Sequence, residues 1–265
     1  MDGFCNADAG ESMCANVVSP RKAGRIEAPL PLEFLMSPPT RSDLPAAVPP
    51  PMAWRRRLRL WVELVLLFVV APPLVFLVAR ELHVRVFVVM AAVLPIFIVL
   101  LIGDRRFSWG ATFAAPVRMR DFTPVLALFV PVAAATFLFV YLLLPGRFLA
   151  LPRYRPDLWL TIMIFYPLAS AASQELIYRV LFFHRYGGLF AGHRHAMILT
   201  NAMLFGAAHI LFGNWIAIVL TGVGGVLFAW RYDQTRSFWP VWLEHSLYGN
   251  LIFTVGLGRY LYSGS

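Results

Sequence analysis

The sequence predicts an all-α protein: a polytopic transmembrane helix bundle of about seven spans behind a disordered N-terminal tail. Three observations carry that prediction. Of the 265 residues, 59% are hydrophobic and only 14% are charged, against roughly 25% charged in a soluble domain. A water-soluble globule of this composition would lack the polar surface to cover itself. Apolar runs approaching the length a helix needs to cross hydrocarbon, about 20 residues, recur at 60–79, 84–103, 122–144, 158–186, 195–213, 214–231 and 238–257. The charges fall almost entirely in the tail or between those runs.

Residues 1–53 form the first predicted unit. They are rich in Pro, Ser, Ala and Gly, end near the prolines at 49–51, and hold too few periodic apolar residues to bury a core. No basic stretch leads into an apolar run here, so the segment does not resemble a secretory signal peptide. Residues 54–265 are the polytopic membrane domain, with the chemistry concentrated at about 155–257. Arg55, Arg56, Arg57 and Arg59 precede the first span. With the N-terminus placed in the cytoplasm, twelve loop arginines fall inside, including Arg185, Arg194, Arg231 and Arg236, and six outside. That bias predicts an N-inside topology. Pro72, Pro73, Pro95, Pro131 and Pro167 lie within spans, where neighbouring groups can satisfy the freed backbone. The 158–186 run is too long to cross straight, so it must tilt, project or break, with Pro167 the expected break.

The excess of basic residues, 23 against 14 acidic, does not point to nucleic acid. The arginines are spread between apolar runs instead of forming one patch. Cys5 and Cys14 offer neither a Cys-x-x-Cys pair nor a disulfide framework.

An ionisable side chain in hydrocarbon costs about 2.5–3.5 kcal/mol on insertion scales, so those inside the spans are the functional candidates. Glu63 sits one turn into the first span and is expected to pair with Arg59 at i,i+4. His83, His184, His193 and His195 lie in loops or at span ends and are expected to be interfacial and solvated. Three constellations remain. Gln174-Glu175-x-x-x-Arg179 puts Glu175 and Arg179 on one helix face, either as a packing ion pair or as chemistry. Phe205-Gly-Ala-Ala-His209 places a histidine beside small residues that allow close helix approach. Glu244-His245-Ser-Leu-Tyr-Gly249-Asn250 adds a second intramembrane histidine. At roughly 1.5 Å per residue, Glu175, His209 and His245 lie roughly 18, 22 and 14 Å from the cytoplasmic end of their helices, close enough in depth to share one cavity.

A carboxylate and an imidazole in such a cavity can take a proton from water, and a second histidine with an asparagine can donate to a developing oxyanion. That set suffices for peptide-bond hydrolysis with no bound cofactor. The same Glu and two His could instead hold Zn²⁺, with water completing the site. No His-Glu-x-x-His motif and no Gly-x-Ser-x-Gly elbow is present. Ser246 faces away from its neighbour His245 on a helix.

These residues resemble the type II CAAX-protease and bacteriocin-processing family, also called CPBP or Abi. Its pattern is Glu-Glu-x-x-x-Arg, Phe-x-x-x-His and His-x-x-x-Asn or Asp on successive parts of a helical membrane core. The matches are Gln174-Glu175-x-x-x-Arg179, Phe205-x-x-x-His209, and His245 followed by Asn250. The resemblance covers about 155–257. In that family the first Glu of the pattern and the Phe-x-x-x-His histidine activate water, and the last His and Asn form the oxyanion hole. Carried over, this gives His209 as water activator and His245 and Asn250 as oxyanion hole, while Glu175 is expected to serve as the working carboxylate with Arg179 anchoring it or a substrate carboxylate. Two positions depart from the pattern: Gln174 stands at the first Glu, and Gly249 stands four after His245, with Asn250 one further on. A one-residue shift turns a side chain by about 100°, which a π-bulge at Gly249 could restore.

The expectation is therefore an intramembrane endopeptidase acting on a membrane-associated peptide or protein in the lipid bilayer, of glutamate type or, alternatively, metal-dependent. The rival is a non-catalytic membrane binding or immunity protein of the same fold. Intramembrane charge also marks transport pathways, but no inverted repeat is visible. Arg, Ala and Pro richness suggests a GC-rich genome and hence a bacterial inner membrane.

Overall fold

The computed structural model describes residues 52–83, 86–114 and 118–261. The expected disorder of the tail falls, but for its last two residues, outside the described residues. The described chain is helical with no strand. Seven long helical stretches are labelled here α1 (54–81), α2 (Val86–Ile102), α3 (Met119–Leu143), α4 (Pro156–Phe190), α5 (Arg194–Ala208), α6 (Trp215–Thr235) and α7 (Phe238–Val255).

Each predicted run thus falls on a helix, but among the described residues five helices and not seven are long and apolar enough to cross a membrane: within α1, α3, α4, α5 with its 3₁₀ extension to Phe212, and α6. The reasons differ for the other two. α2 has 17 residues, about 26 Å at 1.5 Å each, short of the roughly 30 Å hydrocarbon core. α7 has 18, and Glu244, His245 and Asn250 lower its hydropathy.

The outer surface is apolar, and the interior combines an apolar core with a few buried polar and charged groups. Leu58, Val62, Val65 and Leu66 on α1, Leu138 and Leu142 on α3, and Val219 and Val223 on α6 are exposed, as expected where lipid replaces water as solvent. Glu175, Arg179, Asn201, Arg231, Glu244 and His245 are buried. Leu60, Leu64 and Phe68 form an i,i+4 stripe on α1 and are all buried. Phe68 meets a matching stripe on α4 edge-on, with ring centroids 5.3 Å from Tyr178, 5.6 Å from Phe182 and 5.8 Å from Tyr186.

α5 and α6 form the closest helix pair. A β-carbon on Gly206 would lie 3.1 Å from the Gly222 backbone, and one on Gly225 would lie 3.1 Å from the Ala202 backbone. Small residues let the two backbones touch there. Gly213, at φ +67°, makes the tight turn between them, and the Asn214 side chain caps α6 by accepting from Ala217 N–H at 2.8 Å.

Ion pairs tie the other helices together, and two expectations are corrected by them. Glu63 does not hydrogen-bond Arg59. It receives Arg185, with Nη2 to Oε2 at 2.8 Å, and the Tyr186 hydroxyl at 2.8 Å, because α4 brings both donors against α1. Arg231 is not a loop charge writing topology. It lies inside α6, buried, and donates to both oxygens of Glu244 on α7 at 3.0 and 2.9 Å. His184 is partly buried and pairs with Asp104 at 3.0 Å, whereas His83, His193 and His195 are exposed.

The long fourth helix stays helical through Pro167. It widens into a π-turn over Tyr166–Ala171 and again over Leu176–Leu181, with a short α-helical stretch, Ala172–Glu175, between. Proline lacks the N–H that would close the α-ladder at Met163, and the wider turn accommodates that loss.

Candidate active site

Glu175 sits on α4 between the two π-turns, with no solvent exposure. Its Oε1 accepts from His245 Nδ1 on α7 at 2.7 Å. Its Oε2 lies 3.3 Å from Arg179 Nε, one turn along the same helix. Oε1 is thus hydrogen-bonded and Oε2 ion-paired, while Oε2 and the Arg179 guanidinium nitrogens, all buried, have no hydrogen-bond partner among the described residues. Arg179 is equally buried, and its guanidinium rests over the Phe205 ring at 4.5 Å and near Phe228 at 5.6 Å. Those aromatic faces favour the cation in place of water.

His245 is held on every side. Phe228 stacks against it at 4.6 Å and 21°, and Phe205 meets it edge-on at 5.7 Å. Its Nε2 is 2.9 Å from the Tyr166 hydroxyl. With Nδ1–H donated to the Glu175 carboxylate, a neutral ring presents Nε2 as acceptor, and the tyrosine O–H donates to it. Glu175, His245 and Tyr166 thus form one hydrogen-bonded chain.

Tyr166 was not among the sequence candidates, and Gly249 explains its place. A β-carbon at Gly249 would collide with the Tyr166 ring. Where the family pattern has an asparagine, this chain has a gap, and the tyrosine ring fills it. The signal lay in the sequence as that missing side chain, but spacing alone names no residue to occupy the space.

His209 ends α5, and the Phe-x-x-x-His spacing has a local cause there. The last four carbonyls of a helix lack intrahelical donors. His209 Nδ1 donates to one of them, Phe205 C=O, at 2.7 Å. A carbonyl only accepts, so the proton sits on Nδ1 and Nε2 keeps its lone pair. The His209 and His245 rings both rest against Phe205, with His209 at 4.8 Å. Unlike Glu175 and Arg179, His209 is partly exposed.

Asn250 is placed apart from this cluster. Its Nδ2 donates to Met163 C=O at 3.3 Å, the carbonyl that Pro167 cannot serve. α7 is regular α-helix through Gly249, so the expected π-bulge is not there, and Asn250 points about 100° away from the Gly249 direction. Among the described residues, no hydrogen bond joins Asn250 to Glu175, His209 or His245. Gln174 donates to Ser170 Oγ at 2.9 Å within its own helix.

The donor set does not fit a zinc ion. Among the described residues, no three His, Cys, Asp or Glu side chains are grouped to share a metal, and Glu175 is occupied by His245 and Arg179.

Residues 156–251 match the family model described as type II CAAX prenyl endopeptidase Rce1-like. The matched segment runs from the start of α4 into α7 and contains Tyr166, Glu175, Arg179, His209, His245 and Asn250. No curated protein and no solved structure matches the chain.

Proposed function

We propose that this chain, whose 156–251 segment matches the Rce1-like family model, is a CAAX-protease-type membrane peptidase that hydrolyses a peptide bond of a membrane-associated substrate through a metal-free Glu–His site. The observation that carries this reading is the buried Glu175–His245–Tyr166 chain beside a histidine with a free lone pair.

His209 Nε2 is the base. It accepts a proton from a water that attacks the scissile carbonyl and returns it to the leaving amine. Glu175, fixed by Arg179, orients His245 and stabilises positive charge on it. The Tyr166 O–H, which His245 Nε2 accepts and orients at rest, turns to the developing oxyanion, where preorganised donors lower the barrier most. Asn250 acts at a distance by holding the π-turn that places Tyr166. The arginine-rich first-span end lies in the cytoplasm of a bacterial cell on this reading, and the membrane is the inner one.

The test is cleavage by detergent-purified protein of two quenched-fluorescent probes: a prenylated Cys-aliphatic-aliphatic-X peptide and an unmodified apolar peptide in the same micelles. Wild type should cleave at least one. His209→Ala should lose about 10²–10⁴ in kcat, the usual contribution of a positioned acid–base group, and a chelator should change nothing. Full activity in both His209→Ala and Glu175→Ala would refute the mechanism, and loss to chelator restored by Zn²⁺ would replace it with the metal-dependent one.

One observation favours a second reading, a membrane binding protein with the same fold and no catalysis. Gln174 stands at the pattern's first Glu and cannot serve as a base. Proteolysis that appears only on Gln174→Glu would establish that reading.

A further inference from the structure

A second charged cavity lies away from the Glu175 site, at the end of the bundle where α1 begins. It encloses about 480 Å³ and is lined by Arg56, Arg59, Asp104, Arg106, His184 and Arg185, with Met52 and Leu60 among its apolar wall. The volume falls within the roughly 300–1,000 Å³ of ordinary ligand sites. Two helices and a loop supply the lining: the first turns of α1, the loop after α2 and the last turns of α4.

Part of this charge is already spoken for. Arg185 is paired with Glu63, and Asp104 accepts from His184 at 3.0 Å and from Arg106 N–H at 3.0 Å. Those contacts also hold the Asp104 carboxyl below its usual range, the Arg106 N–H first and His184 after it. The guanidinium groups of Arg56, Arg59 and Arg106 make no hydrogen bond or salt bridge among the described residues. Three arginines facing one cavity, with its single carboxylate engaged, form a receptor for an anion. Guanidinium matches phosphate in a two-point fork.

The surroundings select the form of phosphate. The outward face of α1 next to the cavity, Leu58, Val62, Val65 and Leu66, is exposed apolar surface on a membrane-spanning helix. Acyl chains can lie along that face while a headgroup occupies the basic cavity at the membrane boundary. Basic pockets between helices near the membrane surface bind anionic headgroups in this manner. We propose that this cavity binds the phosphate of an anionic phospholipid, and that Arg56, Arg59 and Arg106 hold it.

The test is native mass spectrometry of the full chain released from detergent micelles doped with phosphatidylglycerol or with phosphatidylcholine. Wild type should retain phosphatidylglycerol over phosphatidylcholine, and Arg56→Gln/Arg59→Gln/Arg106→Gln should lower that retention at least tenfold. Arg118→Gln/Arg120→Gln, which removes two exposed arginines elsewhere, should retain lipid as wild type does. The single Arg106→Gln, on a loop and without an ion pair of its own, should give a partial loss in a folded protein. Equal retention in the triple variant and wild type overturns the proposal. Displacement of bound phosphatidylglycerol by millimolar inorganic phosphate would also overturn it, by showing a site for the free anion. The readout is lipid retention, so the result stands whether or not the protein is a peptidase.

Discussion

Replacing Gly249 with alanine is the smallest change that separates Tyr166 from His245. The new methyl would enter the space of the tyrosine ring, and the ring must leave the His245 Nε2 that it contacts at 2.9 Å. Two terms set the cost to the fold. Alanine favours the helix by about 1 kcal/mol over glycine, and overpacking costs about 1–3 kcal/mol, so the net loss is about 2 kcal/mol at most. Losing an oxyanion donor instead costs about 10²–10³ in kcat. Activity should therefore fall far more than stability. Tyr166→Phe, which keeps the ring and removes only the hydroxyl, should fall by about 10² in kcat with little change in KM. Because both changes remove one interaction, Tyr166→Phe/Gly249→Ala should lose no more than the worse single variant, the non-additivity expected of coupled residues. The assay is steady-state cleavage of the quenched peptide beside a thermal unfolding midpoint in the same detergent. A Gly249→Ala protein with kcat within about threefold of wild type, or a double variant showing the product of the single losses, would refute the role given to Tyr166.

Other outcomes follow from the same contacts. Glu244→Gln should destabilise by about 3–5 kcal/mol, because it strands the buried Arg231 cation, whereas Arg231→Met/Glu244→Leu should recover most of that loss; chemical denaturation in mixed micelles measures both. Asn250→Ala should cost about 1 kcal/mol, the net worth of one hydrogen bond, and leave kcat within severalfold of wild type; a 10²-fold loss at unchanged stability would return Asn250 to the oxyanion role. Asp104, lowered by the Arg106 N–H and His184, contributes stability that is present above its unfolded pKa of about 3.9 and is lost as pH falls through its lower folded value. Unfolding midpoints taken between pH 6 and 3 should therefore fall more steeply for wild type than for Asp104→Asn.

The helices were legible because lipid demands long apolar runs, and the runs were there to count. The number of crossings was less so, since α7 is made polar by the very residues that mark the site. Glu175, Arg179, His209 and His245 stood out through the cost of charge in hydrocarbon and through motif spacing. Their partners did not. Arg231 reads as a loop arginine until α6 is seen to extend past it, and Glu63 has two arginines within reach of which sequence favours the nearer, Arg59, over the true partner 122 positions away. Asn250 was legible as a polar group, but its hydrogen-bond partner was not, because that partner is a backbone carbonyl freed by a proline on another helix. Tyr166 left only the absence of a side chain at Gly249 as its trace.

The π-turn at Tyr166–Ala171 has a consequence for how tightly the chain's length is constrained. Tyr166 and Glu175 are nine residues apart, and nine residues of regular α-helix turn through about 900°, which would aim the two side chains in opposite directions. One extra residue accommodated in a π-turn removes about 100° of that rotation and brings both within reach of a single imidazole. Deleting one residue there would leave eight residues of regular helix, about 800°, and so keep nearly the same aim without the wide turn; adding one, or closing the wide turn at full length, would point tyrosine and glutamate apart. What the site depends on in this stretch is an angle, which a wide turn at this length and a regular helix one residue shorter both deliver, whereas one residue more would spoil it.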